Sequence, residues 1–496
     1  MFVRKLPINI ASRGSKSFNQ LRMPLSVKGR VSKRMFAFIC LLLMLFLIAS
    51  VILIWNPRKS IKKHLIMISL DSVYEADFEQ LTSMPIIEEL IGKGAYSNEV
   101  TSVYPTVTYA VHTSIMTGSY PDRHGIYHNQ PLQPGISDQE KEWFWYQDQV
   151  QVPSLFDLLK ANHYTTANLI WPVTGNGNMT YNLPQVFALE GENQAWKTLK
   201  SGSPWFVAHS FFKYREILGD GTQPKLDRFT TKVAVDTIKD KKPNFLSLHL
   251  IAVDALRHKY GVNAPEVKEA FKVHEEAIEE IVQATKDAGI YENTTFVITT
   301  DHGQVDVHQN VYLNSILERE GYISETENGI EYLAYAQPIG LGAFIYIKDG
   351  DPIIEKEVRE LLSGLMEEDN YGIEHIYTPE ELKNLHAAEH YGLAIEAKSG
   401  YQFKEALGNQ DFEPTQSANH GYSPLKVGYQ NIFIISGNNI KDNYNIGPMK
   451  IVDIAPTLAE LLELEFYECD GESFAKQIKS FTRSENALNE AKQCLH

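Results

Sequence analysis

Three apolar, β-rich runs each lead directly into an aspartate, and histidines follow two of these aspartates. The residues concerned are Asp71, Asp254 with His258, and Asp301 with His302. In an open α/β sheet, binding sites gather at the carboxyl ends of the strands. Three carboxylates at one sheet edge would repel one another unless a cation lay between them. The pattern therefore predicts a metal site.

Histidine spacing supports the same prediction. Asp254 and His258 are four residues apart, so on a helix their side chains point the same way. His420 lies in an Asn-His-Gly-Tyr run of turn-forming residues. Mixed aspartate and histidine ligation suits zinc or a similar divalent ion. For each motif alone, a structural role, such as an aspartate that caps a loop, is about as frequent as metal binding. The prediction therefore depends on the joint placement of the motifs.

A loop that contains two threonines precedes a short helical stretch between residues 104 and 126. Thr106 and Thr108 lie where a hydroxyl beside free backbone N–H groups would suit contact with a phosphate. An ordinary helix N-cap would explain one of these threonines. It would not explain why the loop accompanies the metal-type motifs, so the loop is a candidate source of a reacting hydroxyl.

The elements that must position these residues alternate between strand and helix. Predicted strands are 64–70, 245–253 and 295–300, with weaker ones at 344–347 and 431–435, and predicted helices are 85–92, 153–161, 267–288 and 453–463. This alternation is typical of an α/β fold with a mostly parallel sheet and helices on both faces. Residues 175–227 lack clean periodicity and are predicted to form a cap segment, and residues 325–416 a peripheral subdomain.

A run of 21 uncharged residues, 35–55, is long enough to cross a bilayer as a helix. The alternative is a cleaved signal peptide, but its apolar region is usually shorter and no convincing cleavage motif is present. Nine basic residues precede the run and four follow it, which predicts a cytoplasmic N-terminus and a body outside the cell. The apolar run predicts a single-pass protein of the cell membrane. Few cysteines in an exported body favour a bacterial protein.

The chain is thus predicted to have five parts. They are a basic cytoplasmic segment (1–34), a transmembrane anchor (35–55), a linker (56–63), a catalytic domain (64–465) and a C-terminal tail (466–496). Hydrophobic residues make up 43% and charged residues 22%, an ordinary globular composition. The net charge of −16 disfavours broad nucleic-acid binding. Three cysteines exclude a disulfide-built scaffold. The sequence leaves open whether Cys469 and Cys494 pair, and it leaves the oligomeric state open as well.

Together the motifs resemble the type I phosphodiesterase/nucleotide pyrophosphatase family of the alkaline phosphatase superfamily, whose members include ectonucleotide pyrophosphatase/phosphodiesterases. The resemblance extends over roughly residues 63–464, in motif order and spacing. It rests on the strand that ends at Asp71 and on the runs 105–129, 254–261, 301–303, 419–422 and 453–463. An alkaline-phosphatase-like fold is therefore expected.

The resemblance implies two divalent metal ions, either zinc or manganese. One ion would be held by Asp71, Thr108, Asp301 and His302, and the other by Asp254, His258 and His420. Thr108, not Thr106, would be the nucleophile. Asn129 would donate a hydrogen bond to a phosphate oxygen, and Tyr109 would form one side of a base-stacking slot.

The implied activity is hydrolysis of phosphodiester or pyrophosphate bonds in a small diester or nucleotide, through a threonine-bound intermediate. Three alternatives use the same metal site: a phosphonate hydrolase, a phosphomonoesterase and a lipid-head-group phosphodiesterase. A sulfatase is disfavoured because the chain lacks a Cys-x-Pro-x-Arg run. An inactive adhesion protein is disfavoured because all seven ligands are present, and a structural zinc site would usually contain cysteine.

Three positions depart from the family pattern. Ser72 replaces a glycine, residues 110–111 are Ala-Val instead of Pro-Asn, and Arg257 replaces the glycine before the motif histidine. None of them is an expected ligand. The Ala-Val pair could reshape the pocket, and Arg257 could contact a phosphate or a carboxylate of the cap.

Overall fold

The computed structural model describes residues 63–480, apart from 138, 328, 389 and 467, together with Met44. Apart from Met44, the described residues belong to one compact unit. Among the described residues, no helix is both long and apolar enough to span a bilayer. The predicted anchor 35–55 lies outside the described residues except for Met44, so it stays a prediction.

Strands and helices alternate along most of the described chain. In chain order the strands are β1 (His64–Leu70), β2 (Gly94–Thr101), β3 (Thr166–Leu169), β4 (Tyr181–Leu183), β5 (Phe245–Leu250), β6 (Thr294–Thr300), β7 (Val305–Val311), β8 (Ile323–Thr326), β9 (Gly329–Tyr332), β10 (Ala334–Pro338), β11 (Gly342–Ile347), β12 (Ile373–Tyr377), β13 (Leu393–Ala397), β14 (Gly400–Phe403), β15 (Phe412–Asn419), β16 (Asn431–Ser436), β17 (Tyr444–Asn445) and β18 (Met449–Lys450). The α-helices are Phe78–Thr82, Pro85–Gly92, Thr108–Thr117, Pro121–His124, Leu155–Ala161, Gln194–Ser201, Pro204–Leu218, Lys225–Lys241, Ala252–Tyr260, Pro265–Asp287, Leu313–Arg319, Pro352–Glu367, Pro379–Asn384, Ile454–Leu461 and Ala475–Ile478.

A nine-stranded sheet forms the centre of the fold, in the order β17-β2-β16-β6-β1-β5-β3-β4, with β18 also paired to β2. β1 is parallel to both β5 and β6, and β3 is parallel to both β5 and β4. β16 is antiparallel to both of its neighbours, β6 and β2. The predicted α/β fold with a mostly parallel sheet is confirmed, and the weak strand at 431–435 is the antiparallel exception.

Both faces of this sheet are covered by helices, because its central strands alternate side chains between two apolar cores. In β1, Leu65 and Met67 pack into one core, together with helices Thr108–Thr117 and Ile454–Leu461. Ile66, Ile68 and Leu70 pack into the other, which includes helices Lys225–Lys241 and Pro265–Asp287. A strand buried on both faces reads as a continuous apolar run, which is why β1 was recognisable in the sequence.

Smaller sheets extend the domain on the chain segment after β6. β10, β11, β13 and β12 form an antiparallel sheet, and β14, β7 and β15 form a second, three-stranded one. The predicted strand 344–347 is part of β11, within the segment 325–416 that was predicted to be peripheral. Residues 175–227 contain β4 and two helices, and Leu183 and Val207 join a core of the main sheet. The role of that segment as a cap stays a prediction.

Arg257 fastens the helix Ala252–Tyr260 to the loop that follows β1. Its buried guanidinium donates hydrogen bonds to the carbonyl oxygen of Ser72 and to both carboxylate oxygens of Asp77, the latter at 3.0 and 2.6 Å. The expectation that Arg257 contacts a phosphate or a cap carboxylate is wrong. Its side chain is only 2% exposed, and its partner Asp77 ends the 3-10 helix Glu75–Asp77 beside β1.

Replacing Arg257 by methionine is expected to lower the free energy of unfolding of the metal-free protein by about 3–5 kcal/mol. The substitution leaves the buried Asp77 carboxylate without its partner, and urea denaturation measures the loss. Arg319→Met is the matched control, since it removes an exposed pair with Asp411 and should cost less than about 1 kcal/mol. Equal losses for the two variants would contradict this account of Arg257.

Candidate metal centre and substrate cleft

Asp71, Asp301 and His302 form the first metal-type group, at the carboxyl ends of β1 and β6. Because these strands are parallel neighbours, the residues that follow them meet at one edge of the sheet. One potential ligand atom from each residue lies within 4.8 Å of the other two. His302 Nε2 is 3.1 Å from Asp301 Oδ2 and 3.5 Å from Asp71 Oδ1. The structure therefore brings three of the predicted ligands together.

Asp254, His258 and His420 form the second group, and their potential ligand atoms again lie within 4.8 Å of one another. Asp254 and His258 come from the helix that follows β5, and His420 directly follows β15. The rings of His420 and His302 stack with their centroids 3.9 Å apart. The two groups are thus adjacent, although their residues come from four separate parts of the chain.

The donor atoms of both groups fit divalent ions. Asp71 Oδ1 and Asp301 Oδ2 are buried and have no hydrogen-bond partner in the described part of the chain. A buried carboxylate oxygen without a partner is costly, and a cation would remove that cost. In the second group, Nδ1 of His258 and of His420 lie 2.9 and 3.3 Å from backbone carbonyl oxygens. If each Nδ1 carries the proton, each Nε2 can act as a ligand.

Ionisation in the first group also indicates a site for a cation. Burial, and next the charge of Asp254, raise the pKa of Asp71 well above its usual range. Burial, and next the charge of Asp71, do the same for the pKa of Asp301. Burial, together with the nearby His420, lowers the pKa of His302 well below its usual range. Without a cation the site therefore favours neutral side chains, because charged ones would be buried beside like charges.

The second group is more nearly balanced in charge. Burial disfavours the charged forms of both Asp254 and His258, but the attraction between them outweighs it. The pKa of Asp254 is lowered and that of His258 is raised. Burial, and next the proximity of His258, lower the pKa of His420 to about 4. At neutral pH His420 is therefore uncharged, as a metal ligand must be.

Hydrogen bonding distinguishes the two candidate threonines. Thr108 is the first residue of its helix, and its Oγ1 lies 3.1 Å from His302 Nε2. The hydroxyl of Thr106 instead donates to the carbonyl oxygen of Tyr422 at 2.7 Å. At the first turn of a helix, backbone N–H groups have no partner in the helix ladder, so anions are stabilised there. Thr108 is thus the threonine that adjoins the first metal-type group.

Asn129 is held at the start of the same helix. Its Oδ1 accepts a hydrogen bond from the backbone N–H of Tyr109 at 3.0 Å. Because the side-chain oxygen accepts this bond, the amide nitrogen is the group with which Asn129 can donate to a phosphate. This arrangement is compatible with the predicted role of Asn129.

Tyr109 is packed more tightly than a base-stacking residue needs to be. It is only 1% exposed, and it joins a cluster that includes Ile126, Trp145 and Val186. Its ring centroid lies 5.3 Å from that of Trp143. In this structure the ring is almost fully buried, and the role of Tyr109 in binding substrate stays a prediction.

Three supporting residues were missed from the sequence. His249 Nε2 lies 2.9 Å from Asp71 Oδ2, and Gln304 donates to Asp254 Oδ1 at 2.6 Å. Asp227 accepts the backbone N–H groups of residues 251 and 252, where the helix that carries Asp254 begins. His249 could have been noticed as a histidine inside the apolar strand β5. Gln304 and Asp227 lacked a signal in the sequence, because only folding brings them to the site.

A cleft of about 270 Å³ adjoins the second metal-type group. Its lining includes Asn129, Lys141, His258, Lys404 and His420. Lys141 pairs with Glu405, another lining residue, at 2.7 Å. A cleft with charged and polar walls beside the paired groups gives room for the polar part of a substrate.

Two adjacent Asp/His groups lie at the carboxyl edge of a mostly parallel sheet, with a threonine hydroxyl beside one of them, as the motif resemblance implies. The family model described as type I phosphodiesterase / nucleotide pyrophosphatase matches residues 65–423, so the chain belongs to that family. The resemblance seen in the motifs is thereby confirmed.

Curated relatives are distant and longer. The chain is 21% identical over 423 residues to venom phosphodiesterase 2 from Crotalus adamanteus, covering 81% of this chain and 45% of the relative. It is 26% identical over 269 residues to bis(5′-adenosyl)-triphosphatase ENPP4 from Pongo abelii, covering 52% and 51%. The chain thus spans about half the length of these relatives.

Solved structures of murine ectonucleotide pyrophosphatase/phosphodiesterase 5 share the fold. One has a TM-score of 0.61 at 18% identity, covering 84% of this chain and all of the other. An inactive variant of that murine protein in complex with AMP has a TM-score of 0.62 at 17% identity, with the same coverage.

Metal binding is expected to stabilise the protein more at pH 7 than at pH 5. The folded-state pKa values of Asp71 and Asp301 are raised, so in the metal-free protein their contribution to stability is complete below about pH 4 and is lost as pH rises. A bound cation removes this loss. The increase in Tm on adding Zn²⁺ to chelator-treated protein, measured by calorimetry, should therefore grow from pH 5 to pH 7. An increase that is constant or that shrinks over this range would contradict the assignment.

Proposed function

We propose that this chain is a membrane-anchored, two-metal phosphodiesterase/nucleotide pyrophosphatase that forms a covalent intermediate on Thr108. The observation that carries the proposal is the position of Thr108 Oγ1, 3.1 Å from His302 Nε2 beside the buried Asp71 and Asp301. The hydroxyl of Thr106, the other candidate, is occupied by a backbone carbonyl.

The metal ligands are those that the sequence motifs imply. Asp71, Thr108, Asp301 and His302 would hold one divalent ion, zinc or manganese, and Asp254, His258 and His420 would hold the other. When bound, such ions lower the pKa of the hydroxyl and offset the charge of the phosphate. His249 orients the Asp71 carboxylate and Gln304 that of Asp254, so both carboxylates are held in place before ligands bind.

The chemistry takes place in two displacements at phosphorus. The Thr108 hydroxyl gives up its proton to solvent and Oγ1 forms a bond to phosphorus, and the bond to the leaving alcohol or phosphate breaks, with the electron pair going to the leaving oxygen. Water then forms a new bond to phosphorus and the bond to Oγ1 breaks, which restores the threonine hydroxyl. Asn129 Nδ2 and the N–H groups at the start of the Thr108 helix would stabilise charge on the oxygens that do not react.

Small diesters and nucleotides are the proposed substrates. One relative is described as a bis(5′-adenosyl)-triphosphatase, and a similar structure is a complex with AMP.

The apolar run 35–55 would anchor the protein in the cell membrane, with the N-terminus in the cytoplasm and the catalytic domain outside. Digestion of the domain by protease added to intact cells would support this orientation, and full protection would oppose it.

Metal-loaded full-length protein is expected to hydrolyse 4-nitrophenyl thymidine monophosphate much faster than 4-nitrophenyl phosphate, and a chelator should abolish both activities. Thr108→Ala is expected to lower turnover by at least about 10³-fold, because the reacting oxygen is removed. Turnover is followed by release of nitrophenol, and bound metal by elemental analysis. Faster hydrolysis of the monoester would instead favour the phosphomonoesterase alternative.

Two variants serve as controls for this experiment. Thr108→Ser retains a hydroxyl, so it should keep measurable activity and form a serine ester of thymidine 5′-monophosphate that mass spectrometry detects after an acid quench. Asn129→Ala should lower turnover by roughly 10²–10³-fold with its metal content unchanged, as expected for loss of one donor to the phosphate. Normal turnover by Thr108→Ala would refute the nucleophile assignment.

A further inference from the structure

We propose that Trp143 fills the space beside Tyr109 and so deprives the site of a stacking surface for a nucleobase on the retained alcohol of its phosphodiester substrates. The retained alcohol is the one that stays on phosphorus while Thr108 displaces the other group. The inference rests on the proposed function and narrows the substrate class of the same site. It makes Trp143 a specificity-determining residue, not a catalytic one.

Trp143 lies between two other aromatic rings. Its centroid is 5.3 Å from that of Tyr109 and 5.4 Å from that of Phe187, with interplanar angles of 58° and 66°. Tyr109 is left 1% exposed, whereas Phe187 on the outer side is 39% exposed. A base can stack only on a ring with an open face, and Trp143 is one of the side chains that leave Tyr109 without one.

The backbone holds Trp143 next to the phosphate-binding end of the site. The N–H of Phe144 donates to the carbonyl oxygen of Asn129 at 3.0 Å, and the N–H of Trp145 donates to the carbonyl oxygen of Trp143 at 2.8 Å. Asn129 also accepts the N–H of Tyr109 through its side chain. Tyr109, Asn129 and the segment 143–145 are thus joined by hydrogen bonds.

The side chains of Tyr109, Trp143, Trp145 and Phe187 together form what we call the aromatic wall. Trp145 is its next member along the chain after Trp143. Trp145 is 1% exposed, and the ammonium of Lys197 lies 3.8 Å from its ring centroid. Lys197 also pairs with Glu192 at 2.6 Å. Residues from the segment 186–197 therefore cover the outer side of the wall, and Trp143 is held by neighbours on both sides.

Open space lies at the polar cleft, which also borders Asn129. Lys141, Lys404 and Glu405 contribute charged groups to this cleft. Such charged groups suit a hydroxylated or anionic group. Asn129 thus separates a filled aromatic side from an open polar side, and the shape of the site favours substrates that are recognised on the polar side.

Two esters with the same leaving group test the inference: 4-nitrophenyl thymidine 5′-monophosphate and 4-nitrophenyl methyl phosphate. They differ only in the retained alcohol, so the ratio of their kcat/KM values reports recognition of thymidine. Trp143→Ala should raise this ratio by about 5- to 150-fold over wild type, the effect of gaining one base–aromatic stack. Trp143→Phe, which keeps a ring in place, should raise it less.

Further variants separate this effect from damage to the fold. Phe187→Ala loosens Trp143 from the exposed side and should raise the ratio in the same direction, even if Trp143→Ala is unstable. Trp205→Ala removes a tryptophan that is 89% exposed and lies outside the aromatic wall, and it should leave the ratio unchanged. A ratio that falls in Trp143→Ala would show that the indole is itself a platform for the base and would overturn the inference. An unchanged ratio in both Trp143→Ala and Phe187→Ala would overturn it as well.

A binding measurement distinguishes failure of this inference from failure of the proposed function. In the metal-loaded Thr108→Ala protein, calorimetry compares thymidine 5′-monophosphate with methyl phosphate, with and without Trp143→Ala. A gain in relative affinity for the nucleotide supports the inference even if neither ester is hydrolysed by the parent protein. Hydrolysis of both esters without such a gain supports the proposed function and overturns the inference.

Discussion

Repulsion between buried carboxylates is the constraint on which the rest of this site depends. The parallel strands β1 and β6 deliver Asp71 and Asp301 to one edge of the sheet, and Asp254 follows the neighbouring β5. Burial raises the pKa of both Asp71 and Asp301 well above the usual range, and two of their oxygens lack a hydrogen-bond partner within the described residues. An arrangement with this cost is maintained in a folded domain if a cation offsets it.

Several polar contacts hold the carboxylates in position against this repulsion. His249 and Gln304 each contact one carboxylate, and Asp227 caps the start of the helix that carries the second group. Arg257 ties the same helix to the loop after β1. These contacts come from several separate elements of the fold, so no single loop orients the metal-type groups.

Asn129 connects the chemistry to recognition of the substrate. Its side chain lies at the start of the helix that begins with Thr108, and its backbone carbonyl fixes the segment that contains Trp143. On one side of Asn129 is the polar cleft with Lys141, and on the other is the packed aromatic wall.

The sequence by itself determined the α/β class and the strands β1, β5 and β6, since apolar runs that end in Asp keep their pattern locally, and its motifs predicted the Asp and His residues that the structure brings together. It did not determine β2 or β3, because a polar strand or a four-residue strand is recognisable only by its pairing. Local spacing also left Thr106 and Thr108 as alternatives. Only the tertiary structure decided that the Thr106 hydroxyl bonds to Tyr422, that Arg257 pairs with Asp77, and that Trp143 covers Tyr109. Each of these contacts joins residues that are far apart in the sequence. Their partners are therefore determined by how the side chains pack in the folded domain.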